Sequence, residues 1–493
     1  MKLQRGLEML PGVSAWTIIL FPLWGALIIP KIVAYFTVIF LVFWFYRSLQ
    51  SAYLGIKGYL KIRQSEKTDW FNLYLARRNQ DSLEWTKIKH LIIIPNYNES
   101  VDKIASSLDQ LVNQQEINPH HLAVVLAMEE RAPDARQRAQ ALLEKFRGCF
   151  GEFFATYHPG NLANEIKGKA SNEAWAAKKA KKYLVEQKKW PLYCLTITTC
   201  DADARFHSQY FAALTTAFAL NPQRYLRFWQ SPIFWHNNYW RCPAFVRIVG
   251  TMGNIIHLAH LQEPDHLIFN YSTYSTSLKL LDQVGYWDTN IIPEDWHIFL
   301  QAFFAQKGLV EVEPIFLPTS IDAPEGKTPV QALKNRYEQC KRHAWGATDI
   351  PYACKQALQH PEIPLGVRFF RLFKLLETHL IWSTNWFILT LGAWLPTLVN
   401  PVFSQTSLGY NLPKISQIIL TLCLVSLFIV IGLDWSLRPA KPLHLSRWFV
   451  VIELCQWLLM PFATLFMSAL PGLDSQTRLL LGKRLEYRVT DKV

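Results

Sequence analysis

The chain has 493 residues, of which 50% are hydrophobic, 18% charged and 14% aromatic, and its formal net charge is +13. Soluble domains carry about 25% charged residues. Here charge is missing from long stretches such as 9–30 and 415–433, each close to the roughly 20 apolar residues that a membrane-spanning helix needs. This excludes a purely soluble protein and an intrinsically disordered one.

The excess of Lys and Arg indicates a multi-pass membrane protein, because such proteins have more of these residues on the cytoplasmic side of the membrane. We therefore expect no nucleic-acid partner. The eight cysteines are scattered and form no Cys-x-x-Cys pair, which argues against a disulfide framework or a zinc site. This favours a reducing, cytosolic location for the globular region.

The first 60 residues are predicted to form an N-terminal transmembrane hairpin. Its two spans cover 14–29 and 32–50 and turn near Pro30 and Lys31. No small-residue cleavage site separates the two apolar runs, which argues against a signal peptide. The basic segments at either end of the hairpin, 1–5 and 47–63, would then lie inside.

Residues 85–360 are predicted to form a globular α/β domain. Short apolar strands are expected at 90–100, 121–130, 153–159 and 192–203, with helices at about 133–146 and 170–186. Such alternation indicates a mostly parallel sheet covered by helices on both faces. Function in such sheets lies at the carboxyl ends of the strands.

Residues 366–493 are predicted to hold an interfacial helix, a C-terminal transmembrane region and a basic tail. The segment 366–379 has the pattern of an amphipathic interfacial helix, and 380–399 and 415–433 are predicted spans. The stretch 448–470 contains Glu453 and Pro461. Both a full span and a re-entrant hairpin are possible there, and we favour the hairpin, which keeps the basic tail inside.

Asp201 and Asp203 give the sharpest chemical signal. They follow a buried predicted strand and are separated by one residue. Two carboxylates so placed can hold a divalent cation beside a diphosphate, since Mg²⁺ and Mn²⁺ prefer oxygen ligands. A solvated acidic turn is the alternative, and the preceding strand favours the functional interpretation.

Three other features carry weaker signals. Glu294 and Asp295 begin an apolar helix, where carboxylates serve as first-turn acids or as a general base. Lys169 opens a helix, and backbone amides with a lysine suit a phosphate. The cluster containing Trp229 and Gln230 fits either a sugar-stacking surface or a membrane interface.

Taken in chain order, these pieces resemble the membrane-integrated glycosyltransferases of family 2, the GT-A-fold group that includes cellulose and hyaluronan synthases. The resemblance rests on five motifs and on the closing segment LEYRVTDK. The motifs are IIIPNYNES (92–100), GKASN (168–172), TTCDADARF (198–206), PEDW (293–296) and RYEQCKRHAWG (336–346).

The resemblance implies roles for particular residues. Asp201 and Asp203 would coordinate Mg²⁺ or Mn²⁺ and the nucleotide diphosphate, and Asp295, with Glu294 beside it, would act as catalytic base. Other expected contacts divide between donor and acceptor. For the nucleotide sugar they are Asn96, Asn98, Glu99, Glu130, Lys169 and Asp201; for the acceptor or diphosphate they are Gln339, Arg342, Trp345, Trp229 and Gln230.

Two departures from the family pattern matter. His343 stands where the Gln-x-x-Arg-Trp motif has its Trp, with Trp345 two residues later. The second strand ends in Glu129 and Glu130 rather than in the usual Asp, so either glutamate could substitute for it. The altered motif favours single or limited transfer over processive synthesis.

The expected function is that of a membrane-bound inverting glycosyltransferase. It would move a sugar from a nucleoside-diphosphate sugar to a lipid or glycan acceptor in the cell envelope. The expected location is the inner membrane, with a cytosolic catalytic domain. The alternatives are a processive polysaccharide synthase and a non-catalytic scaffold subunit of an envelope glycan assembly complex, and the three acids Asp201, Asp203 and Asp295 count against the scaffold.

Overall fold

The structure is a computed structural model that describes residues 2–443 and 448–485. The closing segment LEYRVTDK, apart from Leu485, lies outside the described residues. In the described part, the strands form a large sheet and a small one. They are β1 (Lys89–Asn96), β2 (Leu122–Glu129), β3 (Glu152–His158), β4 (Leu195–Thr199), β5 (Arg205–Phe206), β6 (Arg227–Gln230), β7 (Ile233–Phe234), β8 (Tyr274–Ser277), β9 (Glu311–Pro314) and β10 (Thr319–Ser320).

The large sheet has the order β3-β2-β1-β4-β8-β6-β9. Strands β3, β2, β1 and β4 are parallel, β8 is antiparallel to both β4 and β6, and β9 is parallel to β6. The start of β8 therefore lies at the same edge of the sheet as the carboxyl ends of β1, β2 and β4. That edge gathers the loops that form the candidate site.

The described helices cover both faces of this sheet and continue beyond it. They are α1 (Lys2–Ile28), α2 (Pro30–Ser65), α3 (Trp70–Arg77), α4 (Val101–Val112), α5 (Ala135–Lys145), α6 (Lys169–Lys181), α7 (Tyr210–Leu220), α8 (Ala244–His260), α9 (Leu278–Val284), α10 (Glu294–Ala305), α11 (Pro329–Ala344), α12 (Asp349–Gln359), α13 (Leu365–Leu391), α14 (Leu395–Val399), α15 (Pro401–Ser404), α16 (Ser407–Leu437), α17 (Phe449–Gln456), α18 (Met460–Thr464) and α19 (Leu470–Leu480).

The side chains of β1 show why the sheet is covered on both faces. Leu91 and Ile93 pack into one apolar core with α6 and α10, whereas Ile92 and Ile94 pack into a second core with α4, α5 and α7. Successive strand residues point to opposite faces, so a continuous apolar strand requires cover on both sides. The architecture predicted from the sequence, a mostly parallel α/β sheet with helices on both faces and flanking apolar helices, is confirmed.

Four of the described helical segments are long and apolar enough to cross a membrane, judged by length and composition. They are Leu3–Ile28, Pro30–Ser65, Ser407–Leu437 and Phe449–Leu480. The turn predicted near Pro30 is confirmed, since the helix breaks at Ile29 and the chain folds back to bring the rings of Phe21 and Phe36 to 5.3 Å. Pro30 begins α2, where its missing N–H costs no helical hydrogen bond.

Two predictions about the C-terminal region are wrong. The interfacial helix expected at 366–379 and the span expected at 380–399 form one helix, α13, which ends at Leu391, and the chain breaks at 392–394 before α14. The hairpin favoured at 448–470 is instead part of the helical run Phe449–Leu480. Pro461 lies in the first turn of α18, where proline interrupts the helix least.

Candidate active site

A cavity of about 250 Å³ opens at the carboxyl edge of the large sheet. The loops after β1, β2 and β4 line it, together with the segment before β8 and the start of α10. Helices α11 and α13 close its far side through residues such as Arg342 and His379. The cavity therefore joins the sheet to the region where the apolar helices begin.

Lys169, at the first position of α6, lies among three carboxylates. Its Nζ is 2.9 Å from Glu294 Oε1, 3.2 Å from Asp201 Oδ1 and 3.7 Å from Glu173 Oε1. It also donates to the backbone carbonyl of Ser272 at 3.1 Å. Burial lowers the pKa of Lys169, but the neighbouring carboxylates together hold it well above the usual value, so the group is a fixed cation.

Asp295, in the first turn of α10, is held by two backbone amides, one from α10 itself and one from the segment before β8. Its Oδ2 accepts from the N–H of Ser272 at 3.1 Å, and its Oδ1 accepts from the N–H of Trp296 at 2.9 Å. Burial and then the charge of Glu294 raise the pKa of Asp295 to about 6. A carboxylate whose pKa lies near neutral pH is suited to accept a proton.

Glu173 lies beneath these groups and is fully buried. It accepts a hydrogen bond from the hydroxyl of Thr199 at the end of β4. Burial raises its pKa to about 8, although Lys169 acts in the opposite direction. Glu173 is therefore part of the support for Lys169 and does not line the cavity.

Asp201 and Asp203 both line the cavity, as the position after β4 predicts. Asp201 Oδ2 accepts from the hydroxyl of Ser272 at 3.2 Å. Asp203 Oδ2 accepts from the N–H of Asp322 at 2.9 Å, which fixes the side chain against the chain following β10. The chain after the small sheet thus orients Asp203, and the loop before β8 orients Asp201.

Whether these acids fit a divalent cation can be judged from the donor set. Carboxylate oxygens are the ligands that Mg²⁺ and Mn²⁺ prefer. Among the described residues, however, no group of three His, Cys, Asp or Glu side chains could hold a metal. Asp201 and Asp203 therefore fit a cation that takes its remaining ligands from a phosphate group and water.

The cavity brings together nine of the predicted site residues. They are Asn96, Glu99, Lys169, Asp201, Asp203, Glu294, Asp295, Gln339 and Arg342. The loop holding the first two is fixed by Arg138, which donates to Asn96 Oδ1 and to the carbonyls of Tyr97 and Glu99. These motifs are far apart in sequence and meet in one space.

Five predicted residues lie outside the cavity lining. Asn98 is exposed on the loop after β1, and Trp345 packs in the core beside the end of α11. Trp229 is fully buried in the apolar core that also contains α7, so it does not offer a face for sugar stacking. Gln230 is also buried, and its side chain holds the loop before β8 by bonding Tyr271 N and Thr273 O.

Glu130 also lies outside, and Glu129 takes the position in the cavity. Glu130 is exposed and pairs with Arg136 at 2.6 Å. Glu129 is buried and pairs with Arg131 at 3.0 Å, and both line the cavity. Since β2 ends at Glu129, the alternation of side chains sends the next residue outward.

Several lining residues were not predicted from the sequence. Ser272 bonds both Asp201 and Asp295, yet it belongs to no recognisable motif. Thr378, His379 and Trp382 reach the cavity from α13, although their sequence pattern indicated only an interfacial or spanning helix. Helical spacing of three and four residues places these three on one face, which is the signal that could have identified them.

The sequence matches the family model described as glycosyl transferase family group 2 over residues 196–467, more than half of the chain. The chain belongs to this family. The matched region runs from β4, which precedes Asp201 and Asp203, into the C-terminal apolar helices. No curated protein matches the transferase in sequence.

Solved structures resemble the transferase at low sequence identity. A mannosyltransferase, PcManGT from Pyrobaculum calidifontis in complex with GDP-Man and Mn²⁺, is 14% identical, with 91% of this chain and 99% of that chain covered and a TM-score of 0.45. TarS 1–349 from S. aureus in complex with UDP is 11% identical, with 70% of this chain and 92% of that chain covered and a TM-score of 0.32. GalNAc-T7 with UDP, GalNAc and Mn²⁺ is 11% identical, covering 65% and 58%, with a TM-score of 0.33.

Proposed function

We propose that the chain is a membrane-bound inverting glycosyltransferase of the cellulose and hyaluronan synthase-like group. It transfers a sugar from a nucleoside-diphosphate sugar to a lipid or glycan acceptor. The observation that carries the proposal is the meeting of Asp201, Asp203, Asp295 and Lys169 in one cavity at the carboxyl edge of the sheet. A non-catalytic scaffold would not need this combination of acids and a buried cation.

The proposed reaction is a single displacement. The acceptor hydroxyl oxygen attacks the anomeric carbon, and its proton passes to the carboxylate of Asp295. The bond from the anomeric carbon to the diphosphate oxygen breaks, and its electron pair leaves with the nucleoside diphosphate. One displacement inverts the configuration at the anomeric carbon.

Charge that builds on the leaving diphosphate needs stabilisation in the transition state. Lys169 is a fixed cation on the cavity wall, and Arg342 lines the same space from α11. Asp201 and Asp203 would hold Mg²⁺ or Mn²⁺ together with the diphosphate, and the bound ion would supply further charge neutralisation. Glu129 and Arg131 line the cavity near the end of β2, where they would contact the nucleoside part of the donor.

The proposed location is the cell envelope, in the inner membrane with the catalytic domain in the cytosol. Four apolar helical segments support membrane association. The tip of the N-terminal hairpin meets the loop before α15, where Asn400 donates to the carbonyl of Ala26 at 3.1 Å. The basic end of α2, with Arg63 beside α16, lies away from that tip. By the positive-inside rule, this supports a cytosolic position for the globular region.

Release of nucleoside diphosphate by the detergent-purified chain tests this function. A panel of nucleotide sugars is supplied with Mg²⁺ or Mn²⁺, and the released nucleotide is measured before and after chelation. If nucleoside diphosphate is released from one donor and chelation abolishes this release, the proposal is supported and the donor is identified. If no donor in the panel released nucleoside diphosphate and no metal-dependent nucleotide binding were found, a non-catalytic scaffold would be favoured.

The size of the product then distinguishes single transfer from processive synthesis. The altered Gln-Arg motif, with His343 lining the cavity and Trp345 in the core, favours transfer of one or a few sugars. A long polymer in the product would instead establish a processive synthase.

A further inference from the structure

His379 is a buried polar side chain for which the described residues offer no partner. It lies on α13 and lines the cavity, yet only 2% of the residue is exposed to solvent. Both ring nitrogens, Nδ1 and Nε2, are buried without a hydrogen-bond partner in the described part of the chain. Buried polar groups in folded proteins are almost always hydrogen-bonded, so this exception calls for a partner that the chain itself does not supply.

The position of His379 is fixed by the surrounding structure. Its backbone carbonyl accepts from Nε2 of Gln476 on α19 at 2.8 Å, and the same glutamine accepts from the hydroxyl of Ser383 at 3.1 Å. Earlier on α13, Arg371 donates to the carbonyl of Ile268 at 2.7 Å, and Lys374 pairs with Glu263 at 2.7 Å. The helix is therefore anchored to the globular region on one side and to α19 on the other.

The ring of His379 lies between two aromatic rings of the cavity. Its centroid is 5.6 Å from that of Trp296, which directly follows Asp295, and 6.3 Å from that of Trp382 with nearly parallel planes. Gly346 permits this placement, because a Cβ there would come within 3.2 Å of the imidazole. The unpartnered imidazole therefore faces the same space as the proposed base.

The chemistry of the ring indicates the class of its ligand. Burial without an ion pair in the described part of the chain favours the neutral imidazole, which offers one donor and one acceptor. A hydroxyl group can both donate and accept, so it can pair with either nitrogen of such a ring, whereas a phosphate is bound most strongly by cationic side chains. The aromatic neighbours Trp296 and Trp382 suit the carbon face of a sugar ring.

We propose that His379 binds a sugar hydroxyl of the acceptor and holds the acceptor against Trp382, within reach of Asp295. This rests on the proposed transferase function and specifies its acceptor as a molecule that presents a sugar ring at the membrane side of the cavity. His379 is then a residue for acceptor binding and takes no part in donor binding.

The test uses the full chain in amphipol, free of glycoside detergents. Release of nucleoside diphosphate from the active donor is measured alone, as hydrolysis, and with octyl glycosides of glucose, galactose and mannose as acceptor probes. Octyldimethylamine oxide, which has a tail but no sugar, is the comparison probe. Nucleoside diphosphate binding is measured separately by calorimetry.

The proposal predicts that at least one glycoside stimulates release from the unmodified chain and that the sugarless probe does not. His379→Phe raises the glycoside concentration for half-maximal stimulation at least tenfold, while the affinity for nucleoside diphosphate is retained. His379→Gln keeps a hydrogen-bond donor and an acceptor, so its half-maximal glycoside concentration lies between those of His379→Phe and the unmodified chain. His266→Phe, at an exposed histidine outside the cavity lining, behaves as the unmodified chain.

Other outcomes overturn the proposal. Equal half-maximal concentrations for His379→Phe and the unmodified chain would show that the ring binds no acceptor. If His379→Phe weakened nucleotide binding as much as it weakened stimulation by the glycoside, the role of His379 would be structural. If no glycoside stimulated release by the unmodified chain, the acceptor would not be a molecule that presents a sugar ring. Absence of any release, even by hydrolysis, would instead count against the transferase function itself.

Discussion

The ammonium of Lys169 lies 3.2 Å from Oδ1 of Asp201, one of the two proposed metal ligands. The same nitrogen contacts Glu294, so a built-in cation already neutralises part of the acid cluster. A divalent cation entering alone must compete with this charge at close range. We therefore expect metal binding to depend on the nucleotide, whose phosphates supply further ligands.

Lys169→Met tests this relationship. Removal of the ammonium leaves Asp201, Glu294 and Glu173 without their shared cation, so Mn²⁺ without nucleotide should bind at least about tenfold more tightly, roughly 1.4 kcal/mol. Titration of Mn²⁺ followed by electron paramagnetic resonance measures this directly. Lys169→Arg, which keeps the charge, should resemble the unmodified chain, and an unchanged Mn²⁺ affinity in the Met variant would refute the competition.

The pH dependence of transfer should report the state of Asp295. Its pKa is raised to about 6 by burial and by Glu294, and only the ionised carboxylate accepts a proton. Activity should therefore be constant above about pH 7 and fall about tenfold per pH unit below pH 6. The measurement is kcat/KM between about pH 5 and pH 8, with nucleotide affinity as the control, and a flat profile down to pH 5 contradicts the assignment.

Two adjacent glutamates provide a matched pair for donor binding. Glu129 is buried in the cavity wall beside Arg131, whereas Glu130 is exposed and pairs with Arg136. Glu129→Gln should weaken nucleotide binding about tenfold, because it removes the charge that orients Arg131. Glu130→Gln should leave the affinity unchanged. Calorimetry with the active nucleotide compares them, and equal effects of the two substitutions would reject the placement.

Much of the fold could be predicted because its strands are continuous apolar runs. Buried parallel strands such as β1 and β2 read as unbroken hydrophobic segments, and the acids that follow β4 mark the functional edge of the sheet. This explains why Asp201 and Asp203 lie in the cavity, as their position after β4 predicts. Glu130 was placed wrongly because a strand end that differs by one residue exchanges the inward and outward side chains.

The far side of the cavity was harder to predict. His379 and Trp382 come from α13, whose amphipathic first half and apolar second half indicated two separate elements. Trp229 was expected at a sugar-stacking surface or a membrane interface because aromatic faces suit both, but the side chains of β6 are buried and Trp229 packs in an apolar core. Tertiary packing, which a single sequence does not show, decided both positions.

Asp295→Asn tests whether Asp295 removes the proton of the acceptor hydroxyl. The variant keeps the size of the side chain but lacks the base, so sugar transfer should fall about 10²- to 10⁴-fold while nucleotide affinity is retained. Asp282→Asn, at a partly exposed acid paired with Lys181 outside the cavity lining, serves as the control. Transfer by Asp295→Asn within a few-fold of the unmodified chain would show that Asp295 is not the catalytic base.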